Sequence, residues 1–550
     1  MKILKQNKIL TEKKGSAKLV LTNKQHNIQQ KDIPYQAIRV IRGLLKAGYK
    51  AYLVGGCIRD LLSGKAPKDF DVSTNATPEQ VHRIFRNSRI IGRRFKIVHV
   101  VFGREIIEVT TFRTNSESKR DSVRHQTSDT GMLVRDNVYG KSLEEDAERR
   151  DFTINAVYYD FKTQELIDFH AGIYDLTNQV IDIIGDPKVR YLEDPVRIIR
   201  ALRFAAKLGF KLSKRTADPI AEMAPSLQQV SNARMFEEVN KLFLTGHGLE
   251  SFKILREYGI FSILFPGLDE YLDNPVFNSF VEYALQSSDE RYKAQKRNMP
   301  HFLYAVILWA KFQNELFRLA DLNDSVANAA SLRELADIAC PKILRTQNSV
   351  TAIPMSISES IRSMWSLQLQ LLETEDPQAV SDVASRQLFR GGFDIFRLRA
   401  RFEPYLEPYV KFWQPYYDES AAKSRERNLK REAQRALEEA ASEDFLYEES
   451  PYAKSPGFVA EQETAQKEES SRSRRKRRRE DDELMAQADA VFKELTSSTS
   501  KKDPRDLASD DRSTAESDIP QAQNENAEDV ERQNRLARAR AWRASMNLEP

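Results

Sequence analysis

The chain has 550 residues, of which 41% are hydrophobic and 30% are charged, and its 85 lysines and arginines nearly balance its 81 aspartates and glutamates. A chain of this length exceeds one domain and should fold into several units. Its two cysteines are too few for a disulfide framework or a cysteine zinc site. The longest apolar run, FLYAVILWA, is far shorter than the ~20 residues that a transmembrane helix needs. We therefore expect a cytoplasmic protein without a transmembrane segment.

The amino-terminal part of the chain predicts a mixed domain of helices and strands. Residues 1–32 are basic and lack a signal-like apolar core, which indicates a flexible arm. Over 33–170, helical segments alternate with short β-branched runs typical of strands. These runs are AYLVGG, DFDVST, KIVHVVF, IIEVTTF, FTINAVYYD and ELIDF. The polar stretch 114–135 lacks periodicity and predicts a mobile loop.

The remainder of the chain predicts helices and then a tail. Apolar residues recur at spacings of three and four over 171–268 and over 269–417, which is typical of packed helices. From 418 to 550 this periodicity is lost, and the charged segments cannot bury enough apolar area to offset the entropy of ordering. The predicted fold class is therefore α+β, with a small mixed sheet, all-helical regions and a disordered basic tail.

The first candidate site is a pair of carboxylates in KDFDVSTNATPEQV, residues 68–81. Side chains alternate along a strand, so Asp69 and Asp71 would project from one face while Phe70 points into the core. Carboxylates this close repel each other unless a cation lies between them, and Mg²⁺ prefers such oxygen ligands. The alternative is a pair of solvent-facing aspartates on an edge strand.

Two flanking features favour a metal site. Gly55 and Gly56 in VGGCIRDLL lie where a strand gives way to a helix, and glycines there let backbone N–H groups approach a phosphate. Glu108 in EIIEVTTFR could supply a third carboxylate from a neighbouring strand, or could be an ordinary sheet-surface glutamate. Together these features predict a phosphate cradle beside a metal cluster, as in two-metal phosphoryl transfer.

Two arginine-rich segments follow the predicted strands. EEDAERRDFTINAVYYD places Arg149, Arg150 and Asp151 just before a strand. YLEDPVRIIRALRFAAKLGF carries charges into a helix, namely Glu193, Asp194, Arg197, Arg200 and Arg203. On a helix Asp194 and Arg197 would share one face, where they could form an ordinary ion pair. Arginines that continue at three-residue intervals into an apolar helix instead indicate a strip that meets a nucleotide.

These segments resemble the class II nucleotidyltransferases, the group of bacterial poly(A) polymerases and CCA-adding tRNA nucleotidyltransferases. The similar stretches occur in the family's order over about 50–215, and a weaker helical resemblance continues to about 415. They are LVGGCIRDLLSGKAPKDFDVSTNATPEQV, IIGRRFKIVHVVFGREIIEVTTFR, RDNVYGKSLEEDAERRDFTINAVYY and EDPVRIIRALRFAAKLGF. The resemblance implies a palm-like head over 33–170, a helical neck over 171–268 that recognises the base, a helical body over 269–417 that binds RNA, and a tail over 418–550 that binds RNA nonspecifically.

The resemblance also implies roles for individual residues. Asp69 and Asp71 would bind catalytic Mg²⁺ in a two-metal site, with ATP as the substrate. The third acidic role falls on Asp151 or on Glu108, and Asp151 could instead hold the ribose 2′-hydroxyl. Arg200 and Arg203 would contact the phosphates or brace the neck. The other implied nucleotide-binding residues are Gly55, Gly56, Arg59, Arg150 and Asn155.

In this family an E-D-x-x-R pattern serves as a protein template for the base. By this likeness Asp194 would accept a hydrogen bond from an exocyclic amino group, and Arg197 would donate to the neighbouring ring nitrogen. Adenine and cytosine both present that edge, whereas uracil and guanine present the reverse. The pair therefore favours A and C over U and G, and the choice between A and C must come from the shape of the pocket.

Several segments favour poly(A) synthesis over CCA addition. GRRFKIVHVVFG and MLVRDNVYGKSLEEDAERRDFTINAVYYD are more similar to the poly(A) polymerase versions, and we assign no chemical role to His99 within the first. The basic run SRSRRKRRRE, residues 471–480, would hold any RNA backbone through counterion release. We expect a template-independent enzyme that adds AMP from ATP to RNA 3′ ends in RNA polyadenylation and decay, with RNA-decay proteins as candidate partners of the tail. The alternatives are a CCA-adding enzyme and a noncatalytic RNA-binding adaptor.

Overall fold

The computed structural model describes residues 18–92, 96–113, 139–140, 142–322 and 329–446. The predicted loop at 114–135 and the basic run at 471–480 lie outside these residues. The described residues up to 418 belong to one compact unit, and those from 419 onward belong to a second.

The head is built on an eight-stranded mixed sheet in the order β1-β8-β7-β2-β3-β6-β5-β4. The strands are β1 Leu19–Leu21, β2 Ala51–Val54, β3 Asp71–Thr74, β4 Ser88–Ile91, β5 Ile97–Phe102, β6 Glu105–Thr111, β7 Val157–Asp160 and β8 Glu165–Asp168. β3 pairs antiparallel with β2 and parallel with β6, so the start of β3 lies between two neighbouring strands. This position near the middle of the sheet determines what surrounds the candidate carboxylates.

Short helices flank this sheet because their apolar residues recur at helical spacing. The helices are α1 Tyr35–Lys46, α2 Gly56–Leu62, α3 Pro78–Ile84, α4 Leu143–Arg149 and α5 Gly172–Asn178. In α1 the buried residues Ala37, Val40, Ile41 and Leu44 form one stripe, which faces β2, β3 and β6. Phe70 is 7% exposed, so it lies in the core as its alternation with Asp69 and Asp71 predicts.

Beyond the head, the described chain is almost entirely helical. A two-stranded parallel pair, β9 Val180–Ile181 and β10 Lys211–Leu212, interrupts the helices. The helices are α6 Pro187–Glu193, α7 Val196–Leu208, α8 Lys214–Ala217, α9 Ile220–Met223, α10 Asn232–Phe243, α11 Gly248–Glu257, α12 Phe261–Leu264, α13 Asp269–Leu272, α14 Pro275–Lys293, α15 Pro300–Ile307, α16 Trp309–Leu322, α17 Ala329–Asn348, α18 Met355–Gln370, α19 Pro377–Ser385, α20 Phe389–Ala400 and α21 Glu407–Leu446. The predicted α+β class is therefore confirmed. No helix in the described ranges is long and apolar enough to cross a membrane.

The predicted flexible arm is wrong for the residues that the structure describes. Leu19–Leu21 pairs antiparallel with β8 and forms the edge of the head sheet. Leu21 and Ile28 are 1% and 4% exposed, so their apolar side chains contribute to the head core. Burial of these few apolar residues orders a segment that basic composition suggested would be loose.

The predicted disordered tail is also wrong at its beginning, because α21 continues to Leu446. In its last part, Lys423 lies 2.6 Å from Glu419 and Lys430 lies 2.6 Å from Glu426, both at i,i+4 spacing. Such pairs and the good helix formers around them stabilise a helix that buries little apolar area. Residues 447–550 lie outside the described part of the chain.

Candidate active site

The candidate site is centred on Asp71, the first residue of β3. In the sheet register Asp71 is opposite Val54 on one side and opposite Glu108 on the other. Asp69 precedes the strand and is exposed, so the prediction that both aspartates lie on the strand is wrong. The parallel pairing of β3 with β6 instead places Glu108 beside Asp71. His99 is the cross-strand neighbour of Glu108, with Nε2 and Oε1 3.5 Å apart.

The surroundings of Asp71 disfavour its negative charge. Burial and the neighbouring Glu108 carboxylate raise the pKa of Asp71 to about 6, and Asp69 adds to this effect while Arg150 opposes it. An acid with this pKa is ionised at neutral pH at an energetic cost. A cation between these carboxylates would remove that cost, so the residues fit the divalent metal that the sequence predicts. No group of three or more potential metal ligands is already arranged to hold an ion among the described residues.

A glycine turn runs directly beside the Asp71 carboxylate. Gly55 has a φ of +84°, which a side chain would disfavour, and it precedes α2, whose first residue is Gly56. A Cβ atom at Gly55 would lie 3.4 Å from Oδ2 of Asp71 and 3.8 Å from Nη1 of Arg150. The missing side chain therefore leaves room for a ligand to approach the carboxylate.

Sequence reasoning missed Asp146, a buried carboxylate that anchors this region. Its Oδ2 accepts hydrogen bonds from Ser73 Oγ at 3.0 Å, Tyr158 Oη at 2.7 Å and Arg150 Nη2 at 3.2 Å. Oδ1 accepts from the backbone N–H of Arg113 at 3.2 Å. Arg150 also donates to Tyr158, at 2.9 Å. Asp146 thus joins β3, β7 and α4 and fixes Arg150 near Asp71. The i,i+4 spacing of Asp146 and Arg150 in the sequence could have predicted their contact.

Asp151 belongs to a different network. Its Oδ2 forms an ion pair with Arg200, whose Nε lies 2.9 Å away, and its Oδ1 accepts from the Phe152 N–H at 2.8 Å and from Asn155 Nδ2 at 3.3 Å. Burial alone would raise the pKa of Asp151, but Arg200 and these hydrogen bonds lower it to about 2. Asn155 in turn accepts from Arg59 Nη1 at 2.9 Å.

Three of the predicted arginines surround one aromatic ring. The guanidinium carbons of Arg59, Arg200 and Arg203 lie 5.4, 5.4 and 5.0 Å from the centre of the Phe204 ring. Arg59 is 3% exposed, and a Cβ at Gly56 would lie 3.4 Å from its Nη2. The structure therefore brings the start of α2 and the arginines of α7 together around one ring, and the carboxylates of Asp60, Asp151 and Glu238 lie beside these arginines.

The alternative interpretation of Asp194 and Arg197 as an ordinary ion pair is wrong, because their side chains do not pair. Pro195 separates α6 from α7, so the two residues are not on one helix face. Asp194 instead accepts hydrogen bonds from Nη1 and Nη2 of Arg234 in α10, one at each carboxylate oxygen and each at 2.8 Å. Arg197 Nη1 donates to the Arg190 carbonyl at 2.7 Å and to a carboxylate oxygen of Glu193 at 3.2 Å. Sequence reasoning missed Arg234, since nothing local connects it with a residue forty positions earlier.

Comparison with known families matches three parts of the chain. Residues 51–182 match the family described as Poly A polymerase head domain, and 209–272 match "Probable RNA and SrmB- binding site of polymerase A". Residues 333–481 match "Polymerase A arginine-rich C-terminus". The first match contains Gly55, the β3 carboxylate and Glu108.

The chain is also similar to curated proteins over most of its length. Poly(A) polymerase I of Escherichia coli O6:H1 is 43% identical over 404 residues, which are 72% of this chain and 84% of that protein. The CCA-adding enzyme of Geobacillus kaustophilus is 39% identical over 42% of this chain and 55% of that protein. A crystal structure of the Bacillus stearothermophilus CCA-adding enzyme in complex with CTP is 25% identical, covers 71% of this chain and 83% of that chain, and has a TM-score of 0.49.

The head sheet, its carboxylates and the head-domain match define a nucleotidyltransferase. The similarity to poly(A) polymerase I, which is 43% identity over 72% of this chain and 84% of that protein, establishes the family. The chain belongs to the poly(A) polymerase I family of template-independent polynucleotide adenylyltransferases, with CCA-adding enzymes as more distant relatives. The predicted family and enzyme class are thereby confirmed.

Proposed function

We propose that this chain transfers AMP from ATP to the 3′ ends of RNA without a template and releases pyrophosphate. The observation that carries the proposal is the position of Asp71 between the Gly55 turn and Glu108, within a chain of the poly(A) polymerase I family. RNA and ATP are the partners that this activity requires.

Asp71, Asp69 and Glu108 are proposed to hold Mg²⁺ in a two-metal site. Bound there, Mg²⁺ would lower the pKa of the attacking 3′-hydroxyl and neutralise charge on the departing pyrophosphate. Asp71 is fixed by the strand register, and exposed Asp69 is free to turn towards the same space. Gly55 and Gly56 admit the triphosphate, and Arg150, held by Asp146, contributes positive charge beside it. Catalysis then depends on positioning and charge neutralisation.

Between the two candidates for the third carboxylate, we propose Glu108. It is paired with Asp71 in the sheet, and its charge already acts on that residue. The charge of Asp151 is already offset by its ion pair with Arg200, and its other oxygen accepts two hydrogen bonds, so Asp151 has less attraction for a metal than Glu108 has. We assign Asp151 to the orientation of Arg200 and Asn155, close to where Arg59 and Arg203 would contact the phosphates; a contact with the ribose 2′-hydroxyl is compatible with this placement.

We propose that Asp194 and Arg197 still read the base, although they do not pair with each other. Both oxygens of Asp194 accept from Arg234, and Oδ1 also accepts from the Val196 N–H, so Oδ2 has the lone pair that can accept a further hydrogen bond from an exocyclic amino group. Arg197 is held through Nη1, which fixes the direction of its remaining donors. Because Arg234 holds Asp194 in one orientation, the distance between the two reading groups is set by the protein. A rigid pair would favour adenine and cytosine over uracil and guanine, and the shape of the surrounding pocket would select adenine.

The remaining features of the proposal follow from the sequence. We propose a head to about residue 170, a neck over 171–268 and an RNA-binding body over 269–417, with RNA held by the basic run at 471–480 and RNA-decay proteins recruited by the tail. A cytoplasmic location is supported by both cysteines being free and buried, which suits a reducing compartment.

The test is nucleotide incorporation by the full chain. Purified protein receives an arbitrary RNA with Mg²⁺ and either ATP or CTP alone. Long A-tails with ATP and little product with CTP are expected. Addition that stops after C-C-A on tRNA would instead establish a CCA-adding enzyme, and no turnover with any nucleotide would favour a noncatalytic adaptor. Asp71→Ala should abolish incorporation and leave RNA binding nearly intact.

A further inference from the structure

The helical part of the chain contains a cavity of about 560 Å³ that the proposed reaction does not use. It lies among α14, α15, α18 and α20, with Tyr417 of α21 also contributing to its wall. Its volume is in the range of pockets that bind small organic groups, which is roughly 300–1,000 Å³.

The wall of this cavity is strongly basic. Five arginines line it, against the single carboxylate of Asp394. They are Arg291, Arg297, Arg390, Arg397 and Arg401. Asp394 accepts a hydrogen bond from Tyr417 Oη at 3.0 Å and lies 3.7 Å from Arg397, so one carboxylate offsets only part of the charge. Like charges held this close favour an anionic ligand.

Arg390 supplies a more specific indication. Its Nε is buried and has no hydrogen-bond partner in the described part of the chain. An unpaired buried donor is energetically unfavourable, so a ligand acceptor at this point would be favoured. By contrast, Arg399 on the same helix is buried but donates to both oxygens of Glu403, as a structural arginine does.

Aromatic rings lie against the same arginines. The guanidinium carbon of Arg401 is 4.1 Å from the centre of the Tyr283 ring, and those of Arg397 and Arg390 are 5.0 and 5.6 Å from the centre of the Tyr417 ring. Guanidinium groups bind phosphate oxygens, and aromatic or guanidinium planes stack on bases. The combination suits a nucleotide better than it suits inorganic phosphate.

We propose that this cavity binds one nucleotide of the RNA substrate, with the phosphate at Arg390 and Arg397 and the base against Tyr283 or Tyr417. The inference rests on the proposed function, because RNA is the ligand of this chemistry that a poly(A) polymerase must hold. The cavity is open to solvent, because four of its arginines are exposed, namely Arg291, Arg297, Arg397 and Arg401. An open cavity can admit one nucleotide of a long RNA, whereas a site for a free nucleotide would be more enclosed. The site would hold RNA upstream of its reacting 3′ end.

The test compares the full chain with the double variant Arg390→Gln/Arg397→Gln. Binding of a long single-stranded RNA is measured over a salt series, and AMP incorporation is measured on that RNA and on a trinucleotide primer. We expect the double variant to bind the long RNA at least about tenfold more weakly, and the magnitude of the slope of log K against log salt to fall by about 0.7, since the one lost phosphate contact removes about 0.7. Incorporation on the trinucleotide should be unchanged.

Two controls separate a binding site from a folding defect. Arg386→Gln, at an exposed arginine of the same region that does not line the cavity, should leave the affinity for RNA unchanged. Asp394→Asn removes the opposing charge while retaining an acceptor for Tyr417, and should tighten RNA binding. Because misfolding would weaken RNA binding, tighter RNA binding by Asp394→Asn cannot come from misfolding.

Three results would overturn the inference: an unchanged salt slope in the double variant, an equal loss on the trinucleotide and the long RNA, or saturation of the cavity by AMP without displacement by RNA. Failure of the proposed function is distinguishable, because it would appear as absent AMP incorporation by the unmodified chain on both primers, while the salt slope still reports on the cavity.

Discussion

Replacing Asp71 by asparagine is expected to stabilise the protein while abolishing AMP transfer. The Asp71 carboxyl has a pKa of about 6 instead of its ordinary 3.8, because burial and the Glu108 carboxylate disfavour its charge. Each pKa unit corresponds to about 1.4 kcal/mol, so ionised Asp71 costs up to about 3 kcal/mol of unfolding free energy at neutral pH. Water partly reaches this carboxylate, and we therefore expect asparagine to gain roughly 1–3 kcal/mol.

The pH dependence of this gain has a defined sign. A group whose pKa is raised by folding contributes stability below its unfolded pKa, and that contribution is lost as the pH rises through the folded value. The unmodified protein should therefore lose stability from Asp71 between about pH 4 and pH 6. The asparagine variant lacks this loss, so the gap between the two proteins should open over that interval and remain constant above it.

The assay is equilibrium unfolding of both proteins across this pH range, with and without Mg²⁺. At neutral pH, Mg²⁺ should stabilise the unmodified protein, because ligand binding to the native state raises its unfolding free energy, and should have little effect on Asp71→Asn. Glu79→Gln is a matched control at an exposed acid that pairs with Lys96, and it should keep full activity without a stability gain. An asparagine variant that is no more stable at pH 8, or equally favoured at pH 4, would refute the reasoning.

Three further predictions concern the networks around the site. Arg234→Ala frees Asp194 from its bidentate partner, and should lower kcat/KM for ATP by about tenfold, equivalent to ~1.4 kcal/mol. Asp146→Ala removes the acceptor of four hydrogen bonds, and should lower the unfolding free energy by roughly 3 kcal/mol as well as activity. Asp151→Asn should raise KM for ATP more than it lowers kcat, and activity should show no titration from Asp151 above pH 5, since its pKa is about 2.

Each of these has an outcome that would contradict it. An unchanged kcat/KM for ATP in Arg234→Ala would mean that the Asp194 orientation does not contribute to recognition of the base. Full stability of Asp146→Ala in chemical unfolding would mean that its hydrogen bonds are replaced by water. A loss of Mg²⁺ affinity in Asp151→Asn, equal to that in Asp71→Asn, would return Asp151 to the role of third metal ligand.

The local chemistry of this protein could be predicted from its sequence. The glycines after β2, the aspartates around β3 and the arginines of α7 are encoded in short contiguous segments, where strand alternation and helix spacing constrain the side chains. Composition predicted order less well near the two ends of the described residues. Apolar burial orders Leu19–Leu21, and good helix formers extend α21 to Leu446, both in segments whose charge suggested disorder.

The partners of these groups were decided only by the tertiary structure. The strand register places Glu108 beside Asp71, and the packing of α10 against α7 brings Arg234 to Asp194 in place of Arg197. Asp146 became visible as an anchor only when its four donors converged from separate elements. Short-range spacing constrains neighbours along one helix or strand, whereas the contacts of a buried charge depend on which distant elements pack around it. The sequence alone therefore determined which chemical groups this enzyme has, and the fold determined which of them act together.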